Sequence, residues 1–517
     1  MALAVVLLAG PAVAQRAPLT RAEGSDWLET SRYDDVMAFL AGVADAPVLH
    51  STTFGYSLEG RPLPLVAVGP DLADAGPETV RATGRTRVLL MANIHAGEVE
   101  GKEALQILLR RLAAGEHRRW LDSLVVLVAP IYNADGNERV SVLNRWRQNG
   151  PLAGVGTRAN ARSLDLNRDF MKLASPEARS LVDLLVTYDP HLVVDLHATN
   201  GTLHAYHLTY APPLHPGTAP GIVALLRDEW LPAVAGRMAS DHGWATHYYG
   251  NAYAPAGGER GWYTFDHRPR FGTNYLGLRN RFAILSEAYA YASFRDRTLA
   301  TLAFVEEILE FAAAHAGEID RLAGRADEED LRGRPLPLRA RHQRGGEVEI
   351  LMGAVEERLS PYSGRRFLAR LDEATPERLR DYGRFEATET GRVPDRYYIP
   401  PSLASVVDLL TFHGVRTTRL PGPQTLALER FGIDSVRVAD REYEGRREQE
   451  VFGAWETDRV SLPEGTVVVP MHQPLARLAF TLLEPRSDDG VVAWHIVDMA
   501  PDSSATYPVL RRPAGGR

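Results

Sequence analysis

Continuous apolar runs alternate with segments of helical periodicity in the first 320 residues. The runs that are typical of buried strands lie at 87–94, 124–132, 192–196 and 281–285. Apolar residues at helical spacing predict helices at 98–112, 176–185, 220–238 and 297–322. Buried strands that alternate with helices form sheets covered on both faces. This part of the chain is therefore predicted to be α/β, with a mixed, mostly parallel central sheet.

The pattern changes after residue 320. Residues 321–347 are rich in Arg, Asp, Glu and Gly and have almost no apolar periodicity, which predicts a linker. Beyond it, residues 401–414 have a helical pattern, whereas 465–470 and 490–497 have strand patterns. We therefore expect a larger domain at residues 15–320 and a smaller mixed α+β accessory domain at residues 348–517.

The composition is that of an ordinary globular protein. The 517 residues carry a net charge of −8, with 45% hydrophobic and 24% charged residues, which excludes a wholly disordered chain. The acidic balance argues against a general nucleic-acid binder. The sequence has no cysteine, which excludes disulfides, thiolate metal ligands and a cysteine nucleophile.

The N-terminus has the pattern of a targeting segment. Residues 1–14 are apolar and uncharged, and Ala12-Val13-Ala14 fits a small-x-small cleavage site. The run is too short to cross a bilayer, which needs about 20 apolar residues. It predicts a signal peptide, a periplasmic or secreted protein, and no membrane span in the mature chain. The alternative interpretation is a frayed apolar N-terminus.

Candidate metal ligands follow two of the predicted strands. His95 and Glu98 form a His-x-x-Glu turn directly after the first apolar run, and His197 ends a later one. Ligand sites in open α/β sheets lie at the carboxyl ends of strands, and zinc binds imidazole nitrogen and carboxylate oxygen. The tetrapeptide alone has little specificity, because the same four residues recur at 315–318 on a predicted helix end.

Six motifs occur in a fixed order along the chain. They are 54–69 (FGYSLEGRPLPLVAVG), 95–98 (HAGE), 133–136 (NADG), 144–147 (NRWR), 164–170 (LDLNRDF) and 195–197 (DLH). In this order the chain resembles the zinc metallocarboxypeptidase family, with a carboxypeptidase A-like catalytic domain, from about residue 35 to residue 318. The resemblance implies one zinc ion per chain held by His95, Glu98 and His197, with Asp165 orienting His95.

The resemblance also implies roles around the substrate. Asn167 and Arg168 would bind the terminal carboxylate of the substrate, because an arginine offers a planar fork that matches a carboxylate. Arg147 would polarise the scissile carbonyl group. Glu287, at the end of the apolar run 281–285, would be the general base that takes a proton from the zinc-activated water.

A mobile tyrosine is expected upstream of that glutamate. Tyr275 and Tyr263 compete for the position, and Tyr275 is preferred because Gly, Thr and Asn flank it and suggest a mobile loop. Residues 244–293 contain twelve aromatic side chains, which predicts either an aromatic substrate pocket or aromatic core packing.

The function predicted from these observations is that of an exported zinc carboxypeptidase acting on peptides with a free C-terminus. A zinc amidohydrolase or deacylase that acts on acylated amino acids or cell-wall peptides is the alternative with the same metal site. A catalytically silent binding protein of the same fold is the alternative from another class. The sequence indicates no nucleic-acid partner.

Overall fold

The protein is built around an eight-stranded mixed sheet in its N-terminal half. The computed structural model describes residues 17–199, 201–499 and 506–515, so the predicted signal peptide at 1–14 lies outside the described residues. Strands of this half are β1 (Leu49–Tyr56), β2 (Pro62–Val68), β3 (Thr86–Ala92), β4 (Leu124–Ala129), β5 (Leu192–Thr199), β6 (Leu208–Ala211), β7 (Thr246–Tyr248), β8 (Asn251–Tyr253), β9 (Gly261–Tyr263) and β10 (Phe282–Tyr289).

Helices flank this sheet. They are α1 (Arg21–Gly24), α2 (Tyr33–Val43), α3 (Pro77–Ala82), α4 (Glu100–Ala113), α5 (Ala134–Glu138), α6 (Pro176–Thr187), α7 (Pro220–Ala224), α8 (Leu231–Ser240), α9 (Gly272–Leu278), α10 (Phe294–Ala314) and α11 (Ala316–Glu328). Short 3₁₀ helices lie at Arg118–Asp122 and Leu166–Arg168, and a π-helical segment, Leu225–Trp230, joins α7 to α8. The side chain of Ser175 caps α6 by accepting the Ala178 N–H group. No helix of the described residues is both long and apolar enough to cross a membrane.

The sheet has the strand order β1-β2-β4-β3-β5-β10-β6-β7. Its four central strands, β4, β3, β5 and β10, are parallel to one another. Strands β3, β4 and β5 are buried along their whole length, which explains why they appear in the sequence as continuous apolar runs. The predicted fold class, a mixed and mostly parallel sheet with helices, is confirmed.

The C-terminal half consists mainly of antiparallel strands. They are β11 (Pro335–Gln343), β12 (Glu347–Leu359), β13 (Arg366–Tyr382), β14 (Arg384–Arg392), β15 (Arg396–Ile399), β16 (Thr418–Arg419), β17 (Gln424–Val438), β18 (Gln449–Leu462), β19 (Val467–Pro470) and β20 (Leu510–Arg512). Two helices, α12 (Ala404–Phe412) and α13 (Ala476–Leu483), accompany them. A six-stranded sheet has the order β16-β19-β15-β20-β17-β18, and β13 pairs with β9 of the N-terminal half.

Two local predictions are wrong. Residues 321–347 are not an irregular linker, because α11 continues to Glu328 and β11 pairs with β14. Residues 490–497 form a buried turn instead of a strand: the Trp494 N–H bonds to the Gly490 carbonyl, and the Val491 N–H bonds to Leu482. An apolar run indicates that a segment is buried. It does not show whether the backbone of that segment forms hydrogen bonds with a neighbouring strand. The boundaries of the two domains stay a prediction.

One apolar core extends through both halves. Leu90 of β3, Tyr397 of β15 and Phe480 of α13 belong to the same cluster of buried side chains. Every residue of α13 is buried, and this helix packs against α9 next to the central sheet. Because the halves share buried apolar surface, we expect them to unfold together.

Phe480→Ala tests this shared core. The substitution is expected to lower the free energy of unfolding by about 3–5 kcal/mol, because it leaves a cavity in the buried core. Denaturant unfolding followed by far-UV circular dichroism and by tryptophan fluorescence measures the change. Phe412→Ala is the matched control, with a ring that is 43% exposed and an expected change below about 1 kcal/mol. Two separate transitions, only one of which moves, would contradict a shared core.

Candidate metal centre and substrate cavity

Three neighbouring parallel strands bring the candidate site together. His95 follows β3, His197 lies near the end of β5, and Glu287 lies near the end of β10. In the sheet register Glu287 is directly opposite His197, whereas β3 pairs with β5 on its other side. Residues far apart in sequence therefore meet because the carboxyl ends of these strands lie at the same sheet edge.

The turn after β3 sets His95 and Glu98 side by side. Asn93 has a positive φ of 66°, and the Glu98 N–H bonds to the His95 carbonyl at 2.9 Å. Gly97 leaves room beside this turn, because a Cβ atom there would lie 2.7 Å from Cδ of Arg145. The glycine of the His-Ala-Gly-Glu sequence thus allows an arginine to pack against the two candidate ligands.

The candidate ligand atoms converge. Nδ1 of His95 lies 3.1 Å from one carboxylate oxygen of Glu98, and Nδ1 of His197 lies 2.9 Å from the other. The two Nδ1 atoms are 3.2 Å apart. All three side chains are buried. Their ligand atoms lie within 4.8 Å of one another, and no other group of three His, Asp or Glu side chains among the described residues meets this condition. Two imidazoles and one carboxylate are a donor set that zinc binds in catalytic sites.

A carboxylate faces the outer nitrogen of each histidine. Nε2 of His95 lies 3.0 Å from Asp165, and Nε2 of His197 lies 2.8 Å from Asp195. Such partners fix the ring orientation and leave Nδ1 free to bind a metal. The sequence interpretation named Asp165 and missed Asp195. Its signal was present, because residues two apart in a strand point to the same face and Asp195 precedes His197 by two.

Burial and charge shift the pKa values of this group. Burial would raise the pKa of Glu98, but His95 and Arg145 hold it well below its usual range. Burial would lower the pKa of His197, but Asp195 and Glu98 hold it well above its usual range. Burial raises the pKa of Glu287 to about 8, and the charge of Glu98 adds to this effect. The neighbouring carboxylates Glu98 and Glu287 repel each other when both are ionised, and a bound cation would relieve that repulsion.

A cavity of about 220 Å³ opens beside the three candidate ligands. Asn167 and Arg168 line it, as does Glu287. The guanidinium carbon of Arg168 lies 3.8 Å from the ring centroid of Phe271. The side-chain oxygen of Asn167 accepts the Gly272 N–H at 2.9 Å. The structure therefore brings the predicted carboxylate-binding pair to the cavity that holds the predicted metal ligands.

Arg147 does not line this cavity, so its predicted place at the scissile carbonyl is wrong. Its side chain is exposed and lies beside Trp146. Arg145 lies at the cavity instead, with Nη1 3.0 Å from Glu98 and Nη2 bonded to the Ala198 carbonyl at 2.9 Å. Arg145 has a positive φ of 45°, so the chain turns there, and sequence spacing does not show which arginine of such a turn points inward. Arg158 also lines the cavity and was missed.

Tyr275 is not in a mobile loop, and its predicted role is wrong. The residue lies within α9, is fully buried, and bonds through its hydroxyl group to His413 at 2.7 Å. The alternative, Tyr263, is buried in β9 and stacks on Tyr382. The flanking Gly, Thr and Asn predict a loop, but the backbone at this position is helical and the ring of Tyr275 is part of the core. The tyrosine that lines the cavity is Tyr249.

The aromatic-rich segment serves both roles that were predicted for it. Tyr249, Phe265 and Phe271 line the cavity, whereas Trp262 is buried in a separate apolar cluster. The second His-x-x-Glu sequence is a helix end, as its predicted helical context implied. His315 and Glu318 are partly exposed and 3.7 Å apart, and neither belongs to a metal-binding group among the described residues.

The chain matches proteins that are named carboxypeptidases. The profile of the family described as zinc carboxypeptidase matches residues 36–270. Carboxypeptidase 2 of Trichophyton equinum is 24% identical over 444 residues, which cover 83% of this chain and 76% of that protein. Carboxypeptidase D of Homo sapiens is 31% identical over 185 residues, covering 30% of this chain and 13% of that protein. A metallo-carboxypeptidase structure from Burkholderia cenocepacia has a TM-score of 0.41 at 19% identity, covering 55% of this chain and 70% of that one.

His197→Ala tests the metal centre. The variant is expected to lose zinc, because three protein ligands are the usual minimum for a catalytic zinc site. Metal content after dialysis against a weak chelator, measured by plasma mass spectrometry, gives the result. His315→Ala is the matched control, since it removes a histidine from the second copy of the same tetrapeptide and should leave the metal content unchanged. Full zinc occupancy in the His197 variant would show that the ligands lie elsewhere.

Proposed function

We propose that the protein removes residues from the free carboxyl terminus of peptides, because residues 36–270 match the zinc carboxypeptidase family and a similar protein is named a carboxypeptidase. The observation that supports this most is the shared cavity. Arg168, which can bind a carboxylate, lines the same cavity as the candidate metal ligands. A terminal carboxylate and the adjacent peptide bond can therefore be bound at one place.

His95, Glu98 and His197 would hold one zinc ion through Nδ1 atoms and a carboxylate oxygen. Bound zinc supplies Lewis acidity, which lowers the pKa of water toward about 7. Asp165 would keep the His95 ring in position by accepting its Nε2–H group, and the Asp195 carboxylate, 2.8 Å from Nε2 of His197, would pair electrostatically with that ring. The protein itself supplies the orientation, since all these side chains are held before any substrate arrives.

Glu287 is the best candidate for the general base. Among the described carboxylates that line the cavity, Glu98 pairs with His95 and Arg145, and Asp195 lies against His197. Glu287 has no ion pair within the described residues, so no basic side chain holds its oxygens, and its raised pKa makes it a stronger proton acceptor once it is ionised. It faces His197 across the β5–β10 register, which places it beside the candidate ligands.

Arg145 and Arg158, instead of Arg147, would stabilise the negative charge that develops on the carbonyl oxygen. Both line the cavity, and both reach Glu98, with nitrogen–oxygen distances of 3.0 Å and 3.6 Å. Fixed cations in a site that excludes water lower the energy of a developing oxyanion by several kcal/mol. We also propose that residues 1–14 direct export, which would make the enzyme periplasmic or secreted.

Peptides with free and amidated C-termini test the substrate class. The wild-type enzyme is expected to cleave only the free form, because an amide presents no anion to Arg168; mass spectrometry of the products detects this. Arg168→Lys should raise KM for the free peptide by about tenfold or more, since lysine keeps the charge but lacks the fork. Equal cleavage of both peptides would favour the amidohydrolase alternative over the carboxypeptidase.

Glu287→Gln tests the base. The change is nearly isosteric and removes only the ability to accept a proton. We expect kcat to fall by at least about 10²-fold while zinc content and melting temperature stay at wild-type values. Glu318→Gln, on the exposed helix end, is the matched control and should have wild-type kcat. Turnover near the wild-type rate in the Glu287 variant would assign the base to another group.

A further inference from the structure

A hairpin from the C-terminal half reaches the substrate-binding side of the cavity. This hairpin tip, residues 439–448, joins β17 to β18. The Tyr443 hydroxyl group accepts a hydrogen bond from Nε of Arg168 at 3.0 Å. The next residue, Glu444, accepts the backbone N–H of Asp165 at 2.8 Å. Two adjacent residues of the hairpin tip therefore hold the candidate carboxylate-binding arginine and the partner of His95.

The backbone of the tip is shaped for these contacts. Tyr443 and Arg446 exchange two backbone hydrogen bonds of 2.7 Å and 3.0 Å, which closes a two-residue turn. The central residues, Glu444 and Gly445, have φ values of 50° and 75°. This turn type favours Asn, Asp or Gly at both central positions, so a glutamate there is conformationally unfavourable. The same glutamate accepts the hydrogen bond from the backbone N–H of Asp165.

The guanidinium group of Arg168 is held from three directions. The ring of Phe271 packs on its face, Nη1 donates to the Asn167 carbonyl at 2.6 Å, and Nε donates to the Tyr443 hydroxyl group. The Arg168 side chain is mostly buried. No hydrogen bond is formed by Nη2 to any described residue, so this nitrogen is available to a ligand in the cavity. A fork held in one orientation loses less entropy when it binds a carboxylate.

A buried arginine of the N-terminal half pairs with the base of the hairpin tip. Arg270, which precedes Phe271, bonds to Asp489 at 2.9 Å and lies 2.7 Å from Glu448 at the base of the tip. Its guanidinium carbon also lies 4.3 Å from the ring centroid of Trp494. Arg270 is almost completely buried. Arg270 therefore ties the base of the tip to the N-terminal half, while Tyr443 itself is 37% exposed.

We propose that Tyr443 is a positioning residue for carboxylate recognition, so that the C-terminal half completes the subsite that reads the end of the peptide. The proposal rests on the proposed function, in which Arg168 binds the terminal carboxylate. It assigns the C-terminal half a role in substrate binding that its separation in sequence does not reveal. Tyr443 acts through Arg168 and is not itself in contact with the reacting atoms.

Tyr443→Phe in the full-length zinc enzyme is the test. The ring that packs near Arg270 and Trp494 is kept, so the melting temperature should stay at the wild-type value. With the best free-terminus peptide from the amidation assay, KM is expected to rise about threefold to tenfold, the effect of losing one hydrogen bond, while kcat changes less than twofold. Tyr362→Phe, an exposed tyrosine of the same half, is the matched control and should leave both constants unchanged.

A double-mutant cycle separates positioning from a general structural effect. A lysine at position 168 lacks the Nε–H group that donates to the Tyr443 hydroxyl group. In the Arg168→Lys background, Tyr443→Phe should therefore cause no further rise in KM. Independent, additive effects of the two changes would overturn the proposal. So would wild-type KM in the Tyr443 variant when the enzyme still rejects amidated peptides. Loss of that discrimination in the wild type would instead overturn the proposed function.

A binding measurement provides a readout without turnover. Phenylacetate carries one carboxylate, and phenylacetamide is its uncharged counterpart. Ligand-observed NMR is expected to show that Tyr443→Phe weakens binding of phenylacetate by the same threefold to tenfold and leaves phenylacetamide unaffected. Equal weakening of both ligands would indicate damage to the aromatic lining and would contradict a role through Arg168.

Discussion

The geometry of the site depends on two buried carboxylates, Asp165 and Asp195, which face the outer nitrogens of His95 and His197. An imidazole held through Nε2 presents Nδ1, and in this protein both Nδ1 atoms turn toward Glu98. The arrangement is costly to bury, because it places several ionisable groups out of water. Parallel strands β3, β5 and β10 offset this cost, since they bring the groups to one edge of the buried centre of the sheet.

Arginines complete the electrostatics of this edge. Arg145 packs against Gly97 and pairs with Glu98, while Arg158 pairs with Asp165 at 2.8 Å. Arg168 stands further from the ligands and is held by Phe271 and by the hairpin tip. The cavity is thus lined both by the candidate metal ligands and by arginines, which suits a substrate that presents a carbonyl group next to a carboxylate. The C-terminal half contacts Arg168 and shares the apolar core, so its separation from the N-terminal half is less complete than the sequence pattern implied.

The sequence pattern predicted those elements whose formation depends on neighbouring residues. Strand positions and most helices agree with the structure, because buried parallel strands and amphipathic helices leave a strong periodic signal. The errors have a common cause. Residues 490–497 are apolar and buried without being a strand, and residues 321–347 are polar yet form a helix end and a paired strand. In both cases the structure depends on which groups the backbone bonds to, and those partners are distant in sequence.

The sequence by itself determined the fold class and indicated the candidate metal ligands, because their order and their places at strand ends follow from the chain alone. It could not determine which arginine enters the cavity, since Arg145 and Arg147 are two residues apart in a turn whose direction depends on its packing partners. Nor could it show that Tyr275 is core, or that Tyr443 and Glu444 lie at Arg168 and Asp165, some 275 and 279 residues away. Contacts of that separation leave no periodic trace in a single chain, and only the packing of the C-terminal half onto the central sheet creates them.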